Sequence, residues 1–161
     1  MDTQGILAEL AKATSIEKRP VSNPAVLNEA FDYAKPSSFS RGHRLELGNV
    51  IVILISGTAS IDEHGVSVHI GDVRAQCQRT FSNIEALLTA EGATWKDVVR
   101  TSCFLRDIER DYEAFNQERT RFYGEQKLDP LPASIGIQAI LCRPELLVEI
   151  EAMAVMLKAP K

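Results

Sequence analysis

The sequence predicts one α/β domain in which a mixed β-sheet carries two helices on one face. The segment 50–56, VIVILIS, is β-branched and apolar on both faces, as expected of a strand inside a sheet. Two segments, 72–91 and 111–124, repeat apolar residues three or four positions apart, as amphipathic helices do. The 161 residues are enough for one hydrophobic core.

The N-terminal 43 residues are predicted to lie apart from the regular domain. Residues 3–13 have the apolar spacing of a short amphipathic helix. Residues 14–43 are rich in proline and serine, and this composition predicts an irregular arm that packs on the domain. The regular domain is predicted over residues 44–158.

Within that domain, the first three segments are strands and a loop. Strands over 44–48 and 50–56 are joined by a tight turn at Gly48-Asn49, and residues 58–71 form a hairpin or loop around His64-Gly65.

The remaining elements alternate between helix and strand. Asp72 is the predicted N-cap of the first helix, which Gly92 ends. A strand follows over 98–107, and Asp111 opens the second helix. The stripe of that helix consists of Tyr112, Phe115, Arg119, Phe122 and Tyr123. Two last strands, 133–141 and 146–157, are predicted to form a hairpin.

Composition excludes several classes of protein. With 22 acidic and 18 basic residues the net charge is -4, and no basic run favours nucleic-acid binding. The longest apolar stretch, Val50 to Ile55, is too short for a membrane span, and the N-terminus does not resemble a secretory signal. We therefore expect a cytoplasmic protein.

No metal or cofactor is predicted. The three cysteines are widely separated and the three histidines have no ligand spacing. The sequence contains no P-loop, dinucleotide fingerprint or G-x-S-x-G motif. We therefore expect a site that acts on a small molecule through acid/base chemistry and hydrogen bonds.

An oligomer is expected because two helices can cover only one face of the sheet. VIVILI and EAMAVML offer apolar side chains to both faces. A second copy of the chain is the natural cover for the other face.

Glu149 is the strongest catalytic candidate. Alternation along the last strand places it on one face with Leu147, Glu151, Met153 and Val155, the two carboxylates about 7 Å apart. Desolvation and like-charge repulsion should raise the pKa of at least one, which suits proton transfer near neutral pH. The alternative is that both glutamates lie on a solvated edge.

Cys142 and Arg143 are weaker candidates at the predicted hairpin. The hairpin could bring Cys142 close to Glu149, although a small buried apolar side chain is the more common role for such a cysteine. Arg143 could bind a carboxylate or phosphate, or lie exposed in the loop. Cys77 and Cys103 are predicted to be core residues.

Several segments together resemble the Rid/YjgF (endoribonuclease L-PSP-like) family. They are GNVIVILISG (48–57), residues 71–107, YEAFNQERTRFYGE (112–125), PASIGIQA (132–139) and VEIEAMAV (148–155). The resemblance implies a chorismate-mutase-like fold, a homotrimer with sites between subunits, and hydrolysis of small reactive enamines or imines.

The resemblance also implies roles for particular residues. Glu149 matches the glutamate that positions water, and Phe39 stands for an aromatic residue near the start of the site. The family's carboxylate-binding arginine is Ser134 here, which cannot make a bidentate charged contact, so weak 2-imino-acid deamination is expected. Gly136, Cys142 and Arg143 are predicted to line the same pocket.

Three other functions remain open. SGTASI (56–61), HIGD (69–72) and PASIGI (132–137) resemble the C-terminal half of chorismatases, which would make Glu149 the proton donor to an enol ether. A non-enzymatic ligand-binding or chaperone-like protein could use the same clefts. An RNA-acting protein is disfavoured by the acidic composition.

Overall fold

The computed structural model describes residues 4–5 and 16–159. It contains six strands: β1 (Ile16–Val21), β2 (Gly42–Leu47), β3 (Val50–Ala59), β4 (Val98–Leu105), β5 (Ala133–Gln138) and β6 (Val148–Leu157). Its two long helices are α1 (Val73–Ala90) and α2 (Ile108–Glu125). The predicted helix over 3–13 lies largely outside the described residues. None of the helices in the described ranges is long and apolar enough to cross a membrane.

The strands form one mixed sheet in the order β1-β2-β3-β6-β4-β5. All neighbours are antiparallel except β4 and β5, which α2 connects as a crossover. Both helices pack on the same face, where Ile53, Ile150 and Ala154 are fully buried. The prediction of a mixed sheet with two helices on one face is confirmed.

Aromatic side chains join the two helices to the sheet. Phe81 of α1 stacks on Phe122 of α2 at 4.7 Å between ring centroids, and Trp95 meets both rings edge-on. Such offset and edge contacts stabilise beyond their area burial. Cys77 and Cys103 are buried in this core, as predicted, and burial raises the pKa of the Cys77 thiol to about 12.

The helix ends follow capping chemistry. Asp72 caps α1 as predicted, accepting a hydrogen bond from the Ala75 N–H at 3.0 Å. The second helix begins earlier than predicted, because Asp107 caps it by accepting from the Arg110 N–H at 3.0 Å. Asp111 is not the cap; it is buried and pairs with Arg110.

Two predictions about the strands are wrong. Residues 16–21 are not irregular: they form β1, which pairs with β2 along the edge of the sheet. The last two strands do not form a hairpin, because β6 inserts between β3 and β4 while β5 pairs with the far side of β4. The strand β5 also ends at Gln138, so residues 139–147 form a loop.

The face of the sheet opposite the helices is not covered by any other described part of the chain. Leu54 and Val155 are exposed on it. Strand β5 is exposed along its whole length, including Ile135 and Ile137. This is the apolar open face that the sequence analysis predicted.

Candidate active site

Glu149 lies on the open face near the start of β6. It pairs with Ala59 of β3 on one side and Phe104 of β4 on the other. Strand β3 bulges between Ile55 and Thr58, opposite this part of β6. A Cβ built on Gly57 would overlap Oε1 of Glu149 and lie 3.0 Å from its Cδ. The bulge and its glycine therefore make room for the carboxyl group.

The electrostatics of Glu149 favour its protonated form. Burial raises the pKa of the Glu149 carboxyl, and the neighbouring charge of Glu151 raises it further. No hydrogen bond or ion pair reaches this carboxylate from the residues that the structure describes. The predicted direction of the shift is confirmed, and the group can exchange a proton closer to neutral pH than an ordinary glutamate.

Phe39 stands beside the same bulge. The backbone N–H of Ser56 donates to the Arg41 carbonyl at 3.0 Å, and the Ser56 hydroxyl donates to the Ser40 carbonyl at 2.8 Å. These bonds attach residues 39–41 to the bulge that holds Glu149. Phe39 is 41% exposed, so it can contact a ligand at this point.

Arg41 anchors that segment from within. It is 2% exposed and donates to the Asn28 carbonyl and the Tyr33 hydroxyl. Its guanidinium lies over the rings of Tyr33 and Phe39, at 5.1 and 5.5 Å from their centroids. The sequence analysis did not assign this role, since the signal depends on contacts between distant segments.

Arg143 is partly buried and makes contacts with other parts of the chain, so it does not lie free in the loop. Its Nη1 donates to the Gly65 carbonyl at 2.7 Å and to the Ser67 hydroxyl at 3.2 Å. The guanidinium also stacks on the ring of Tyr33 at 5.0 Å. Arg143 therefore ties the 139–147 loop to residues 65–67 and to Tyr33, which contacts Arg41.

Arg106 fixes the rest of this loop. Its guanidinium donates to the carbonyls of Leu141, Arg143 and Leu146 at 3.2, 2.5 and 2.6 Å. Cys142 is exposed on the loop. The interpretation of Cys142 as a buried apolar residue is therefore wrong, because the loop replaces the predicted hairpin.

Ser134 and Gly136 lie on the other side of the sheet from Glu149. The Ser134 hydroxyl accepts hydrogen bonds from Thr101 at 3.0 Å and from Arg119 of α2 at 3.3 Å. A Cβ on Gly136 would face Tyr112 of α2 at 3.7 Å. Arg41 and Tyr33 thus connect the segment of Phe39, which contacts the bulge beside Glu149, to Arg143. Ser134 and Gly136 face α2 on the opposite side of the sheet.

Depressions of about 410 Å³ lie on both sides of the sheet. One, on the open face, is lined by His43, Arg100, Ser102 and Glu151 among others. The other lies between α2 and β5 and includes Arg119 and Ser134. No cluster of three or more metal-ligating side chains occurs within the described ranges.

The fold is that of an α+β domain of the YjgF type. The YjgF gene product of E. coli superposes on 85% of this chain and 98% of its own length, with a TM-score of 0.67 and 25% identity. The chain belongs to the endoribonuclease L-PSP family, the Rid/YjgF family, whose model matches residues 33–156.

The chain is also similar in sequence to proteins of the RutC type. The 3-aminoacrylate deaminase RutC of Acinetobacter baylyi is 34% identical over 103 residues, which are 64% of this chain and 78% of the relative. A RutC family protein of Pyrococcus abyssi is 30% identical over 110 residues, 68% of this chain and 81% of the relative. The family predicted from the sequence is confirmed.

Proposed function

We propose that this protein is a Rid-type deaminase that hydrolyses a small reactive enamine or imine, with Glu149 as the proton-transfer group. The observation that carries the proposal is the Glu149 carboxyl above Gly57, unpartnered within the described residues and with a raised pKa. The similarity to a 3-aminoacrylate deaminase supports the substrate class.

The chemistry needs one group that both accepts and donates protons. An enamine takes a proton on carbon and becomes an imine. Water then adds to the imine carbon, and ammonia leaves as the carbonyl forms. Glu149 would accept a proton from the attacking water and return it to the departing nitrogen, which requires a pKa near the working pH.

We further propose that the active site forms between subunits of a homotrimer. Ser134 and Gly136 face α2, whereas Glu149 faces the open side, so a site that uses all three needs more than one copy. The exposed apolar face and the bare strand β5 supply a surface for that contact.

The assembly is tested by light scattering in dilute buffer. A mass near three times 17.8 kDa is expected. A stable monomer with full activity would contradict the shared site.

The activity is tested with enamines generated in situ, by measuring ammonia release above the spontaneous rate. Both 3-aminoacrylate-type and 2-aminoacrylate-type substrates carry a carboxylate. Both should be hydrolysed, but more slowly than by an enzyme with arginine at position 134, because Ser134 cannot make a bidentate charged contact. Conversion of chorismate with release of pyruvate, and no turnover of enamines, would instead support the chorismatase-like alternative. Ligand binding without turnover of either class would identify a binding protein.

A further inference from the structure

The backbone of the segment that carries Phe39 is fixed beside the candidate site, but its ring needs a further contact. The two hydrogen bonds that Ser56 donates to the carbonyls of Ser40 and Arg41 attach the chain to the bulge of β3. They do not set the rotamer of Phe39, because an exposed side chain has several staggered positions. Among residues 16–159, the only ring or cation contact of Phe39 is with the guanidinium of Arg41, 5.5 Å from the ring centroid.

Arg41 is a buried cation with neutral partners. Its Nε donates to the Asn28 carbonyl at 2.8 Å, and its Nη2 donates to the same carbonyl and to the Tyr33 hydroxyl. No acidic side chain of residues 16–159 forms an ion pair with it. Burying a charge without a counterion costs free energy, and residues that break this rule are expected at functional sites. Arg41 thus occupies a position where a role beyond packing is expected.

The guanidinium of Arg41 contacts two aromatic rings, and one of them is itself held in place. Its central carbon lies 5.1 Å from the centroid of Tyr33. A Cβ built on Gly65 would lie 2.5 Å from Cε1 of Tyr33, and the guanidinium of Arg143 lies 5.0 Å from the same ring. Tyr33 and the Asn28 carbonyl therefore orient the guanidinium of Arg41. A planar cation oriented in this way attracts the face of the second ring, that of Phe39.

The backbone next to Arg41 has no room to adjust. Gly42 pairs with Ile55 of β3, and a Cβ built on Gly42 would overlap the carbonyl oxygen of Leu54. Strand β2 therefore lies close against β3 at this point. We expect a change in the side chain of Arg41 to move the ring of Phe39, and not the chain that carries the ring.

We propose that Arg41 is a positioning residue of the candidate active site, and that it holds the ring of Phe39 in the orientation that contacts the ligand. Arg41 is buried and touches no reacting atom, so its effect falls on ligand binding and not on proton transfer at Glu149. The proposal rests on the proposed function in one respect, because the kinetic test uses an enamine substrate. The spectroscopic test needs no substrate.

The kinetic test is a double-mutant cycle between Arg41 and Phe39. Arg41→Met removes the guanidinium and should raise KM for the enamine ~3–10-fold with kcat within ~2-fold, as expected when a contact that orients a binding group is lost. Phe39→Ala should raise KM by at least as much. The double variant should bind no worse than Phe39→Ala alone, because Arg41 acts through the ring. Additive losses would overturn the proposal.

The spectroscopic test observes the ring directly, by ¹⁹F NMR of protein made with fluorophenylalanine. The chain has six phenylalanines, and the signal of Phe39 is the one that Phe39→Leu removes. Arg41→Met should move this signal toward that of the free amino acid. Tyr33→Phe, which removes only the hydroxyl that accepts from Arg41, should move it less and in the same direction. It also supplies the test if Arg41→Met does not fold. An unchanged Phe39 signal in every folded variant would overturn the proposal.

Arg44→Met is the matched control, because it removes another largely buried arginine. Arg44 lies in β2, and its guanidinium pairs with Glu46 at 2.8 Å and with Glu91 at 3.5 Å. Among residues 16–159 it lies over no aromatic ring. Arg44→Met should lower the melting temperature and leave KM and the Phe39 signal unchanged. An equal rise in KM from Arg44→Met would overturn the specific role of Arg41.

The outcomes separate this role of Arg41 from the proposed function. If no enamine is hydrolysed and Arg41→Met still moves the Phe39 signal, the proposed function fails alone. If enamines are hydrolysed and Arg41→Met changes neither KM nor the Phe39 signal, the positioning role of Arg41 fails alone.

Discussion

Two glutamates with little or partial exposure to solvent, Glu118 and Glu149, have carboxyl pKa values shifted in opposite directions. Glu118, between α1 and α2, accepts hydrogen bonds from Arg74, Gln78 and Arg121 at 2.9–3.2 Å. These donors and charges lower the pKa of Glu118 to about 2. Glu149, on the open face, has no such partner in the described chain, and its pKa is raised.

The comparison shows that the surroundings of a carboxyl group decide whether it stabilises the fold or is available for proton transfer. A buried carboxylate surrounded by donors stays ionised and stabilises the contact between two helices. A carboxyl that is partly desolvated and left without donors costs stability and gains the ability to transfer a proton. The same residue type therefore serves the fold at one place and, by our proposal, the reaction at the other.

Replacing Glu149 should give the largest effect. Glu149→Gln keeps the shape but removes the titratable group, so ammonia release should fall ~10²–10⁴-fold, the usual contribution of positioned acid/base catalysis. Stability in urea should stay the same or rise. Glu151→Gln is the control on the same face, and full activity of both variants would exclude carboxylate chemistry here.

A smaller loss is expected from moving the carboxyl without removing it. The Cβ of Gly57→Ala would displace Oε1 of Glu149, and activity should fall ~10–100-fold. Stability should change little because the displaced atom is the end of a flexible side chain. In a Glu149→Gln background, Gly57→Ala should have no further effect, so additive losses would argue against this mechanism.

Glu118 should respond in the opposite sense. Glu118→Gln should lower the free energy of unfolding at pH 7 by roughly 2 kcal/mol, discounted for screening by water, and leave activity unchanged. Because the folded pKa is about 2, against 4.5 for the free group, this stabilisation is present above about pH 4.5 and lost as pH falls toward 2. Urea denaturation at both ends of this range tests it, and Glu125→Gln is the exposed control.

The smallest effect is the pH dependence of stability that Glu149 introduces. Its folded pKa lies above the free value of 4.5, so the folded state binds the proton more tightly and loses stability as pH rises through the raised pKa. Glu149→Gln should therefore be more stable than the wild type at pH 8, with a difference that narrows toward pH 4. If the difference in unfolding free energy between Glu149→Gln and the wild type widens as the pH is lowered, the pKa of Glu149 is not raised in the folded state.

The predictable parts of the molecule are those that burial controls. The stripe of α1 and the alternation in β6 follow from packing against one core, so they were readable in the sequence. Strand β1 was missed because IEKRPV is exposed at five of its six residues, and because the contacts that hold it, pairing with β2 and the ion pair of Arg19 with Glu91, join residues far apart in the sequence. The insertion of β6 beside β4 was missed because neighbours in sequence are not always neighbours in a sheet.

For the candidate site, the sequence predicted some features that the structure shows and not others. An acid flanked by apolar residues on a strand pointed to Glu149 and to the direction of its pKa shift. The side of the sheet that Ser134 faces depends on register, which the sequence does not state.

The place of β6 in the sheet bears on how the chain folds during synthesis. This strand lies between β3 and β4, yet it is the last of the six to leave the ribosome. Until residue 157 has emerged, the β2–β3 hairpin and the β4–α2–β5 crossover unit cannot be joined by β6. The edges of β3 and β4 that β6 will pair with therefore stay unpaired. Assembly of the sheet is therefore a late, nearly all-or-none event, and chains cut short before β6 should be recognised by proteases as unfinished.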